Sequence, residues 1–164
     1  MFALILAVSS SGSVIAAPNC LPVGDSLRIC EGTSELGRAW FSKTSDGNPE
    51  LASSFGGRAF SMGWRADRFD GGEVEAIELR AKYLSEVNQA SDEWRTSVVS
   101  IEGVEFFESA RSDLEGEIPT ALAVSLAVVG DEDIGFVTSV VAPPEGFDIV
   151  EAHRFLLSHL ERAQ

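Results

Sequence analysis

Between Trp94 and Val141 the side chains follow a period of two, interrupted at three places by turn formers, and the pattern predicts four consecutive antiparallel strands. The first run, Trp94 to Ile101, is rich in β-branched and aromatic residues and stops at Glu102 and Gly103, a two-residue hairpin turn. The second sets Val104, Phe106, Glu108 and Ala110 against Glu105, Phe107, Ser109 and Arg111. A polar connection from Ser112 ends at Pro119, a residue that can open a strand but not occupy its centre. In the third run Leu122, Val124, Leu126 and Val128 make a large-residue face, and Ala121, Ala123, Ser125 and Ala127 a small-residue face. With both faces largely apolar, this strand is expected to be central. Gly130 to Asp133 form a charged turn before the fourth run, in which Ile134, Phe136, Thr138 and Val140 alternate with Gly135, Val137, Ser139 and Val141.

Two stretches change to helical spacing. Asp70 and Glu73 have the separation of an N-cap and its reciprocating acid, and Val74, Ile77, Ala81, Leu84 and Val87 then recur as a stripe, which predicts a helix over about 73–89. After Pro143, Pro144 and Gly146, Asp148 and Glu151 repeat the capping spacing; Ile149, Ala152, Leu156, Leu160 and Ala163, broadened by Phe155, predict a helix over about 148–163. Small facing residues leave room for close approach, so both helices are expected on the small-residue face. The fold class is therefore α+β: an antiparallel sheet with the meander 94–141 and two helices packed on it. Upstream, Ser26–Glu31 and Arg38–Lys43 read as short strands, and Ser45 to Pro49 as a loop.

The chain has 164 residues, the length of one domain. Residues 1–16 read as a signal peptide, from the apolar run Phe2 to Val8 and the small residues around Ala16, although no basic residue precedes the run; 17–164 is then a single α+β domain. Cys20 and Cys30 are the only cysteines, and in an exported chain they are expected to pair. Their spacing fits neither a redox motif nor a zinc site, and no metal or cofactor is expected. A net charge of −14, from 26 acids against 12 bases, excludes nucleic acid as an expected partner and disfavours an anionic membrane surface. No stable membrane insertion is expected once the leader is removed.

Candidate chemistry is sparse. From Phe55 to Phe69, Gly56, Gly57 and Gly63 lie among Phe55, Phe60, Trp64 and Phe69, interleaved with Arg58, Arg65 and Arg68. Arg58, Trp64, Arg65 and Arg68 are the candidate ligand-binding residues, since aromatic faces stack and guanidinium groups grip carboxylate or phosphate. The competing reading makes Phe60, Met62 and Trp64 the buried face of a strand, with the arginines solvated or ion-paired. His153 and His159, six apart on one helix, cannot share a face, and no Gly-x-Ser-x-Gly elbow accompanies them, so no catalytic residue is assigned. The acidic runs Asp113 to Glu117 and Asp131 to Asp133 match no calcium loop and read as solvated turns.

The order of short strands, helix, four-strand meander and C-terminal helix, with Gly103 in the hairpin turn and a helix after Pro143 and Pro144, resembles the Mog1/PsbP-like group of α+β domains. The resemblance covers roughly Leu27 to Ala163. It implies an exported accessory protein that works by binding partners, and it carries over no functional residue. The leading expectation is thus a periplasmic or secreted, non-catalytic binding or accessory protein whose partner is a protein or a small acidic ligand. The alternatives are a small exported hydrolase using His153 or His159 and a structural envelope component.

Overall fold

A computed structural model describes residues 19–34, 36–89, 93–115 and 117–163; the segment read as a signal peptide lies outside the described residues. The four-strand pattern corresponds to β7 (Arg95–Ile101), β8 (Val104–Asp113), β9 (Thr120–Val129) and β10 (Glu132–Val141), each antiparallel to the next. The sheet then continues through β6 (Arg58–Arg68), β5 (Pro49–Phe55), β4 (Gly37–Lys43) and β3 (Gly32–Ser34), giving the order β3-β4-β5-β6-β10-β9-β8-β7. A second sheet joins β1 (Cys20–Val23), β2 (Leu27–Cys30) and β11 (Leu160–Arg162).

The helices are α1 (Gly72–Asn88) and α2 (Ile149–Leu157), and they lie on opposite faces of the large sheet, contrary to the expectation that both cover its small-residue face. Only α2 does so. Its Ile149, Phe155, Leu156 and Leu157 are bulky and bury themselves in one core with Ala121, Ala123, Ala127, Phe136 and Ile134. α1 meets the other face, where the large residues Phe107, Val128 and Leu126 stand, and it brings Ala76 and Tyr83 to them. The small-residue face thus receives the bulky side of α2.

The burial of α1 also departs from its expected stripe. Ala76 and Tyr83 are buried, while Val74, Ile77 and Leu84 are exposed. Tyr83 decides the orientation: its ring lies 5.9 Å from that of Phe107, and its hydroxyl donates to Asp133 at 2.6 Å. A tyrosine thereby satisfies both an apolar and a polar demand at one position. Desolvation, followed by Asp133, raises this phenol above its ordinary pKa. Nor is α1 capped by Asp70: its N-cap is Gly71, without a side-chain bond. In α2 the expected cap forms, with Asp148 Oδ1 accepting from the N–H of Val150 at 2.7 Å and of Glu151 at 3.3 Å.

α2 stops six residues before the expected end. Ser158 donates its hydroxyl to the Phe155 carbonyl at 2.7 Å, the N–H of His159 turns back to Leu156, and the chain leaves as β11. Leu160 stays buried, but on a strand paired with β2. In the same sheet Cys20 and Cys30 face each other across β1 and β2 and form a disulfide. Glu132, buried at the start of β10, accepts the N–H of Asp25 at 2.7 Å and of Ser26 at 3.1 Å, which fastens the β1–β2 turn to the large sheet. Under α2, Glu108 is 1% exposed and is held by Arg154 Nη2 at 2.6 Å and by the Ser97 hydroxyl at 2.8 Å.

Reducing the Cys20–Cys30 bond releases a short loop in the unfolded chain, and urea unfolding with and without reductant is expected to show a loss of about 3 kcal/mol. Arg154→Ala strands the Glu108 carboxylate and is expected to cost about 3 kcal/mol in the same assay, with much of that recovered in the double variant Arg154→Ala, Glu108→Leu.

Candidate functional site

The β5–β6 turn is Gly56–Gly57, with φ of +54° and +77°. Positive φ at both central residues is the geometry of a tight hairpin, and it accounts for the glycine pair without a ligand. The turn projects Phe55 at the end of β5, while Phe60 lies buried along β6. Across from them the Pro143–Pro144 segment folds back, the N–H of Phe147 bonding to the Pro144 carbonyl at 3.1 Å. The Phe147 ring then meets Phe55 at 5.9 Å and Phe60 at 5.4 Å, both edge to face.

Between this aromatic corner and the first turns of α2 lies a cavity of about 150 Å³, open to solvent and walled by Phe55, Phe60, Phe147, Ala152, Phe155 and Leu36. Phe55 is 47% exposed and Leu36 81%, so the mouth itself is apolar. Asp148 and Glu151 give the rim its acids. The Asp148 carboxyl is drawn below its ordinary pKa, first by Arg95, which binds it at 2.9 and 3.3 Å, with the helix N–H groups adding and burial opposing. The Ser53 hydroxyl in the wall is already committed to the Arg38 carbonyl at 2.8 Å. These walls are suited to enclosing an apolar group and offer it no activated nucleophile.

Of the sequence candidates, Arg58, Trp64 and Arg68 point to one face of β6 and Arg65 to the other. Arg58 and Arg68 stand at the two ends of the strand, ten residues and about 33 Å apart, so no small ligand touches both. Arg65 pairs with Asp67 at 2.7 Å, and Arg68 with Asp25 and Asp131. Trp64 is half-buried, packs against the core and lies 6.5 Å from Phe41. The structure does not bring the four together. The expected stretch contributes Phe55 and Phe60 to the cavity instead; Phe147, Phe155 and Leu36 come from distant positions that only the fold unites.

His153, on the inner face of α2, is fully buried, its Nε2 2.6 Å from the Ser125 hydroxyl and its Nδ1 2.7 Å from that of Thr138. The serine beside the histidine is the pairing a hydrolase needs, yet both lie sealed against the sheet with no room for a substrate. Burial lowers the His153 pKa to about 4, against a smaller raising effect of Glu108. His159 is half-buried; its ring stacks edge-on against Phe155 at 5.2 Å and closes on Gly32. Desolvation lowers its pKa too. The acidic turn before β10 is not simply solvated, because Asp131, Glu132 and Asp133 engage Arg68, the β1–β2 turn and Tyr83 respectively.

No known family's sequence model matches the chain, and no curated protein matches it. Solved structures do resemble it. LpqN of Mycobacterium tuberculosis, described as involved in cell envelope biogenesis, aligns over 90% of this chain and 91% of its own, with a TM-score of 0.54 and 8% identity. A structure from Bacteroides thetaiotaomicron aligns over 83% of this chain with a TM-score of 0.48 and 16% identity, and this chain spans 45% of its length. The likeness to LpqN is one of fold. Among the described residues no helix is long and apolar enough to cross a membrane.

His153 supplies a pH test of its environment. Its folded pKa, about 4, lies below the ordinary 6.5, so the unfolded chain takes up a proton that the folded chain refuses. Stability is expected to be full above pH 6.5 and to fall by roughly 3 kcal/mol down to pH 4. Urea titrations across that window check this, and in His153→Gln the slope should flatten.

Proposed function

We propose that the chain is an exported, non-catalytic accessory protein of the cell envelope that holds an apolar group of its partner in the Phe55–Phe147–Phe155 cavity. The observation that carries the reading is an open aromatic cavity without a reactive group, beside a histidine locked into the core. The disulfide supports an oxidising compartment, as does the apolar N-terminal run. The fold shared with LpqN, and the element order that resembles Mog1/PsbP-like domains, support the envelope setting by analogy.

A volume of about 150 Å³ accommodates one aromatic ring or a short branched alkyl group. The partner is therefore held by a side chain or a terminal group rather than engulfed. With Asp148 already paired to Arg95, Glu151 at the rim, on a chain of net charge −14, fits a neutral or cationic partner better than an acidic ligand. An exposed Phe55 fits poorly with a purely structural envelope component, which would keep its aromatics covered.

Titration of 15N-labelled protein with benzylamine and with phenylacetate tests this. Benzylamine is expected to shift the amides of Phe147 and Ala152 with millimolar affinity, and phenylacetate to bind at least tenfold more weakly. Ala152→Phe fills the cavity and should abolish the shifts; unchanged binding in that variant would sink the proposal.

A further inference from the structure

The large sheet ends differently at its two sides. β3 is three residues long, and so short an edge offers little backbone to another chain. β7 has seven residues, pairs with β8 at seven successive positions without a bulge, and from Thr96 to Ile101 carries neither charge nor proline. Those are the devices that ordinarily protect an edge, and β7 lacks them beyond its first residue, Arg95. The two-residue turn at Glu102–Gly103 makes Ile101 and Val104 a hydrogen-bonded pair. By alternation Ile101, Val99 and Ser97 direct their backbone groups to β8, and Ser100, Val98 and Thr96 direct theirs away from the sheet.

α1 places a second apolar surface beside this edge. Tyr83, on its buried side, leans toward β10, where it meets Asp133. Ile77, about 100° around the helix from buried Ala76 on the opposite flank, leans toward β7 and is 57% exposed, with Val74 and Leu84 exposed next to it. Val98, on the α1 face of β7 opposite Phe107, is 42% exposed.

We infer that β7 is the contact between two copies of this chain, paired antiparallel about a two-fold axis that stands perpendicular to the sheet midway between the two Val98 residues. In this register Val98 faces the partner's Val98, and Thr96 faces the partner's Ser100. Those are the residues whose backbone groups point outward, so each pair is hydrogen-bonded. The partner's Glu102 falls opposite Trp94, over whose ring Arg111 lies 4.9 Å from the centroid, and symmetry repeats this at the other end. A carboxylate thus meets a guanidinium at both ends of the joint. The axis keeps both α1 helices on one side, with their exposed stripes turned toward each other. Such an isologous contact joins the two sheets into one.

Sedimentation of the full chain with its disulfide intact is expected to show a concentration-dependent dimer, weakened at least tenfold by Val98→Lys, with unchanged circular dichroism verifying the fold. Both native cysteines are bonded to each other, so an added thiol reports alone. Mild oxidation of Val98→Cys should give a covalent dimer, whereas Ser100→Cys, about 14 Å from its symmetry mate, should not. A chain that stays monomeric at every concentration, a dimer indifferent to Val98→Lys, or equal cross-linking by the two cysteine variants overturns the inference. In the first case an extended segment of another protein would be the remaining occupant of the edge.

Discussion

The close seat of α2 on the small-residue face is the constraint from which most of the molecule follows. Ala121, Ala123 and Ala127 let the helix come down far enough for His153 to reach two hydroxyls in the sheet, Ser125 on β9 and Thr138 on β10. A larger residue at any of these positions would lift the helix and leave a buried imidazole without partners, a costly state in a low-dielectric interior. The same seat sets the height of Asp148, Ala152 and Phe155, and through them the shape of the cavity beside Phe147. Stability and the candidate site are therefore coupled by one helix.

The acidity of the chain is only partly a matter of solubility. Glu108, Glu132, Asp133 and Asp148 each accept hydrogen bonds from specific donors, and Glu108 and Glu132 do so while buried. Glu108 joins α2 to β7 and β8, Glu132 joins the small sheet to the large one, and Asp133 fixes α1. Carboxylates act here as connectors between elements, a role that overall charge does not reveal.

The meander was legible because a period of two over long runs has few competing explanations, and the cap of α2 because Asp148 acts on its own neighbours. β1, β3, β5 and β11 were not, being short or, for β5, opened by Pro49, and supported by partners far along the chain. The orientation of α1 was misjudged because Val74, Ile77 and Leu84 count as apolar in any pattern, whereas the decisive residue, Tyr83, acts through a tertiary hydrogen bond. In the candidate site the sequence drew attention to Phe55–Phe69, but the arginines that caught the eye belong to different ends and faces of one strand. Leu36, Phe147 and Phe155 carry no local mark of being neighbours.

The small sheet has a bearing on the order of events during folding. β2 pairs on one side with β1, a few residues away, and on the other with β11, more than a hundred residues later. The first pairing closes only a short loop, and a disulfide can lock it; the second must bring together strands separated by nearly all the described chain. Until it does, the buried side of β2, Leu27 and Ile29, lacks its cover. The cross-link holds the early hairpin in shape as a template on which the last strand closes, so a bond between two residues near one end prepares the docking of the other.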